Sequence, residues 1–208
     1  MGPFIAMGFM TVMAAFIFGL VNSSISSDYY QFSKETREAA AADSILATQK
    51  AFIESTKAWL PSFKFLGMGM ILGGVTILLA TIFGALRTGG GRVQEALGVP
   101  VRIIKPPMTA RIFPVLMMMA LIASLILASV VATISYVYWN HSIATELNPA
   151  GAGGQLLGSL STINTVNAWL APFKFVGIAS VLTGIGLALA TIVRVLRWQS
   201  ERLWDVLS

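Results

Sequence analysis

One thirty-residue stretch occurs twice, and that doubling limits what the chain can become. Ala58-Trp59-Leu60-Pro61-Ser62-Phe63-Lys64-Phe65-Leu66-Gly67 opens an apolar run that closes at Arg87. Ala168-Trp169-Leu170-Ala171-Pro172-Phe173-Lys174-Phe175-Val176-Gly177 opens a second, closing at Arg197. The offset is 110 residues throughout, and an ungapped overlay of 58–87 on 168–197 matches 15 of 30 positions. Apolar composition alone does not put a Trp, a lone Lys, two Gly and a closing Arg in register. The chain is read as a tandem duplication.

Its medium follows from composition. Of 208 residues, 56% are apolar and 11% charged, and the mean hydropathy is +0.77. Soluble domains carry about 25% charged residues, so this chain cannot cover a water-facing surface. The expected fold is an all-α integral membrane protein of four transmembrane helices, arranged as two tandem parallel-topology repeats, each with an outer amphipathic helix. Repeat one is 1–99, with a span at about 4–21, an outer segment at about 33–60 and a span at about 63–86. Repeat two is 100–208, with a span at about 112–138, an outer segment at about 155–171, a span at about 173–196 and a cytoplasmic tail.

Local signals mark the joints. The first run is short for a hydrocarbon core of about 30 Å, which takes about 20 residues; a signal peptide is its competing reading, weakened by the lack of Lys or Arg ahead of it. Ser33 is placed to cap a helix running on through the Ala39–Ala42 stretch. Ile45, Leu46, Phe52, Ile53 and Trp59 recur at roughly helical spacing, as do Leu156, Leu160, Ile163 and Leu170. These predict amphipathic helices lying at, or standing on, the membrane surface. Gly89-Gly90-Gly91 reads as a helix stop, and Pro100, Pro106 and Pro107 as breakers in a basic linker. Asn148 to Gly154 reads as a flexible turn, and Arg197 to Ser208 as a tail along the membrane surface.

Lys and Arg set the orientation. Five lie between Arg87 and Arg111, three more are Arg194, Arg197 and Arg202, and none lies in 139–172. Lys34, Arg37, Lys50 and Lys57 lie in 22–62 among five acids, so the first pair of spans is weakly oriented and the second strongly. Both termini and the central linker are therefore expected in the cytoplasm of a multi-pass protein of the plasma or inner membrane.

Four constellations carry the functional reading. First, Leu60, Gly67, Gly74 and Thr81 recur every seven residues, and Leu170, Gly177, Gly184 and Thr191 repeat them. Seven residues are nearly two turns, so each set is a narrow stripe of small residues, the pattern of close helix packing in lipid. A ligand groove lined by glycine is the alternative. Second, Trp59 and Lys64, like Trp169 and Lys174, sit where the spans begin, as snorkelling interfacial side chains or as contacts for lipid phosphate or an acidic partner. Third, Met7, Met10 and Met13 share one face of the first span, and Met117, Met118 and Met119 lie in the third; thioethers pack adaptably and also bind Cu(I). Fourth, His141 stands beyond the third span with Asn140 and Glu146 nearby, an interfacial side chain or a weak metal candidate.

Absences narrow the field further. With no Cys and one His, the chain alone offers no disulfide, thiolate metal site, iron–sulfur cluster or bis-His haem. No catalytic triad, phosphate loop or paired intramembrane carboxylate appears, and no basic stripe suited to nucleic acid. No catalytic residue and no cofactor are expected. The leading expectation is a non-catalytic accessory or scaffolding subunit of a larger membrane complex, whose partners are other membrane subunits and lipids. A small oligomeric transporter or channel is the second reading, resting on Thr76, Thr81, Ser124, Ser129, Thr133, Ser180, Thr183 and Thr191. Copper handling through membrane methionines is the third.

Overall fold

A computed structural model describes residues 2–96, Gly98, 109–147 and 153–207. Pro100, Arg102, Lys105, Pro106 and Pro107 of the linker and residues 148–152 of the flexible turn lie outside them, as do the side chains of Arg111, Pro114 and Arg202.

Every element among the described residues is a helix: α1 (Gly2–Tyr30), α2 (Lys34–Glu38), α3 (Ile45–Ala96), α4 (Thr109–Trp139), α5 (Ile143–Glu146) and α6 (Gly153–Leu207). Four are long and apolar enough to cross a bilayer. Ser33 does cap a helix, its side chain accepting from the Thr36 amide, but that helix is α2 and stops at Glu38 rather than running through the alanines. The chain then reverses through Asp43, whose φ of 59° is one of the few left-handed values a short polar side chain tolerates. Ser44 starts α3, its hydroxyl accepting from the Ala47 amide at 3.3 Å.

The outer segments differ from the expectation. Each is continuous with the span that follows it: α3 has 52 residues and α6 has 55. At about 1.5 Å per residue these rods are about 78 and 82 Å long, more than twice a hydrocarbon core. Pro61 and Pro172 sit inside them without ending them. Residues near each proline are packed. Leu60 and Ser62 flank Pro61 and are buried, and Leu170 and Lys174 lie buried around Pro172. The glycine run is likewise no stop. The helix passes through Gly89, Gly90 and Gly91 to Ala96, braced where Gln199 of α6 lies against Gly90 and donates to the Leu86 carbonyl at 3.2 Å. The tail continues α6 to Leu207 instead of turning away as a separate segment.

In the packing, α1 lies on α3, α3 also meets α4 and α6, and α4 meets α6. One apolar cluster joins Ala58 of α3, Val131, Ala132 and Tyr138 of α4 and Ile163 of α6, with Leu156 and Leu160 against it. The stripe read on the second outer segment is therefore core. On the first, the buried positions are mostly small, Ala47, Ala51, Thr56 and Ala58 with Ile53, while Ile45 is 79% exposed. A second cluster gathers Met117, Leu121 and Val181, with Phe65, Leu66 and Leu72 of α3 on one side. Beside it the buried hydroxyls of Ser124 and Ser62 meet at 3.3 Å, joining α4 to α3.

Candidate functional site

The two glycine stripes are placed differently. At Gly67 the backbones of α1 and α3 touch. A Cβ there would lie 2.8 Å from Val12 Cγ2 and 2.9 Å from the Gly8 carbonyl, and one on Gly8 would lie 2.8 Å from the Gly67 carbonyl. One on Gly74 would run into Ile5. Only glycine permits that approach. In the second stripe Leu170 is 2% exposed and Gly177 and Gly184 are buried, yet a Cβ on Gly177 would meet nothing within 4 Å. Thr81 and Thr191 each donate to the carbonyl four residues back, at 3.0 and 2.7 Å.

Aromatic pairs flank both lysines. Trp59 meets Phe63 edge-on at 5.5 Å, and Trp169 meets Phe173 edge-on at 6.0 Å. Trp59 also takes the edge of Phe18 from α1 at 5.4 Å. Phe65 and Phe175, which are equivalent under the 110-residue offset, touch each other at 6.3 Å. Lys64 is exposed, whereas Lys174 is 7% exposed. The methionine face of α1 turns outward, with Met7, Met10 and Met13 at 58%, 69% and 41% exposure, while Met117 of α4 is buried.

His141 belongs to a polar head where the C-terminal ends of α1 and α4 and the N-terminal part of α3 meet α2 and α5. Its Nδ1 donates to the Tyr138 carbonyl, and its Nε2 lies 3.2 Å from Glu146 Oε2. Tyr138 donates to the other oxygen of Glu146 at 3.2 Å. Both ring nitrogens are thus engaged, and no group of three or more His, Cys, Asp or Glu side chains among the described residues is arranged to hold a metal ion. Asn140 donates to Asp43 at 2.6 Å, tying α4 to the turn before α3.

Next to His141 lies a feature that sequence reasoning missed. Tyr29, Tyr30, Lys34, Arg37, Glu38, Lys50, Ile53 and Glu54 line a cavity of about 190 Å³. Arg37, Glu38 and Lys50 also line a second, of about 40 Å³, that reaches Trp139, His141 and Glu146. Arg37 stacks its guanidinium on Tyr30 and Tyr29, at 4.8 and 5.2 Å from the ring centres, and Lys50 Nζ sits 4.1 Å over Trp139. Such cation–π contacts hold a charge by the face of a ring. The carboxylates have other partners: Glu38 has Lys34 at 3.7 Å, Glu54 has Lys57 at 2.7 Å, and Glu146 has the His141 ring and the Tyr138 hydroxyl, each at 3.2 Å. Residues 29, 37, 50 and 139 are scattered along the chain, so no local motif announces them.

The chain matches no family model, no curated protein and no solved structure.

Proposed function

We propose that this chain is a non-catalytic accessory or scaffolding subunit of a larger membrane complex, of respiratory, oxidase-like or photosynthetic type. It is built as two tandem repeats of parallel topology, with both termini in the cytoplasm of a plasma or inner membrane. The observation that carries the reading is the state of α1. It packs on α3, and its remaining faces present Met7, Phe9, Met10, Met13, Phe16, Ile17 and Leu20 outward. Bulky, adaptable side chains at that density suit a surface that receives other helices as well as lipid.

Two further observations support parts of this. The Phe65–Phe175 contact is what two parallel copies produce when equivalent residues lie near a shared axis along the membrane normal. Of the hydroxyls that a polar path would use, Thr76, Thr81, Ser129, Thr133, Ser180, Thr183 and Thr191 donate to their own helix four residues back. Their donors are spent within the helix, which favours a contact role over a conducting one.

Purification in a mild detergent tests the proposal. A fixed set of other membrane chains at constant stoichiometry is expected, and a double exchange of Met10→Gln with Phe16→Gln on the outward face of α1 should release it. Recovery of a pure homo-oligomer that passes ions across planar bilayers overturns it in favour of a channel.

A further inference from the structure

We propose that the cleft between α2 and α3 is a binding site for a phosphate group in the aqueous phase, free or on a small ester, held by Arg37 and Lys50.

The argument starts from where the charges go. Three cations and two carboxylates line the larger cavity, and both carboxylates have their close partner in Lys34 or Lys57. Arg37 and Lys50 have no carboxylate within ion-pair distance among the described residues, and both are half-buried. Aromatic rings hold each from one side, and the guanidinium offers a phosphate its N–H edge, not its stacked face. The Nε of Arg37 is buried with no acceptor among the described residues. A buried donor left unmade costs about 1–3 kcal/mol, and more when the group is charged; an acceptor that drew the guanidinium edge into the cavity would remove that cost. An arginine fork beside a lysine point charge is phosphate chemistry. At about 190 Å³ the cavity admits that group with a small substituent against Tyr29, Tyr30 and Ile53.

The height of the site separates a soluble phosphate from a lipid headgroup. Lys50 precedes Phe63, where the apolar run begins, by 13 residues of one continuous helix. That is about 20 Å along the rod, whereas the headgroup layer adds only about 5–8 Å to each side of the hydrocarbon. This step rests on the proposed placement of the outer segment beyond the membrane.

Calorimetric titration of the full chain in neutral-lipid nanodiscs with inorganic phosphate, against chloride at equal ionic strength, tests the site. Saturable binding is expected, weakened at least about tenfold in Arg37→Gln and in Lys50→Gln, and unchanged in Arg92→Gln, an exposed cation that lines neither cavity; far-ultraviolet dichroism and melting without phosphate show that each variant is folded. Binding that is absent, or equal in wild type and both variants, overturns the proposal. So does Arg37-dependent capture of phosphatidic acid-containing vesicles without any response to free phosphate. Because the chain has no Cys, a Glu35→Cys variant labelled by a membrane-impermeant maleimide reads the placement separately. Labelling without phosphate binding removes the site alone, and protection from the reagent in membranes opened to both sides removes the aqueous placement.

Discussion

The α1–α3 pair and the α4–α6 pair pack by different means. In the first, two backbones come together at Gly8 and Gly67, and side chains from α1, Ile5 and Val12, fill the space beside the glycine stripe. In the second, Gly177 is buried with room above it, and contact passes through Met117, Leu121 and Val181 instead. The same small residue is thus a requirement in one place and a tolerance in the other. A glycine stripe licenses close approach; whether approach happens depends on the facing helix, and α1 offers Gly8 where α4 offers a run of methionines, Met117, Met118 and Met119.

The comparison breaks most sharply at those two positions. Gly67→Ala should cost about 3 kcal/mol, the upper range for overpacking, measured as loss of detergent-resistant fold, while Gly177→Ala should be neutral or stabilise by up to about 1 kcal/mol through helix propensity. Equal effects would mean that the halves pack alike. Trp59→Ala, which removes contacts to Phe18 and Phe63, should destabilise by about 2 kcal/mol, and Trp169→Ala, at 41% exposure and with an edge contact to Phe173, by less than half of that. Thermal unfolding in one detergent ranks them. Lys174→Leu should raise stability by about 1 kcal/mol, since it replaces a largely buried charge that no carboxylate meets among the described residues, while Lys64→Leu should leave the melting temperature where it is. The smallest loss belongs to the fastening between α3 and α4: Ser124→Ala should cost about 0.6 kcal/mol, the average for an interhelical hydrogen bond in lipid, detected in a double-mutant cycle with Ser62→Ala.

Much of this architecture is legible in the residues alone. Four apolar helices follow from runs long enough to cross, and Leu156, Leu160 and Ile163 announce a buried face by their spacing. Helix boundaries are harder. Proline and glycine rules describe an isolated segment, and at Pro61 and Gly90 the neighbouring helices outweigh the local cost. The buried face of the first outer segment escapes for a related reason: where helices crowd, alanine is the core residue, and a search for large apolar side chains selects Ile45, which points outward. The cleft is invisible in the sequence because each of its cations is ordinary alone. Only the return of α2 onto α3, and of Trp139 onto Lys50, makes Arg37 and Lys50 a pair.

Unbroken rods at Pro61 and Pro172 have a practical corollary. A soluble head joined to its anchor by loops can be clipped off with protease, because exposed irregular chain is where cleavage concentrates. Here the apolar runs of α3 and α6 continue into the segments before them as regular helix, so trimming should leave the extramembrane mass attached. Any partner gripping that mass therefore pulls directly on the segments inside the lipid.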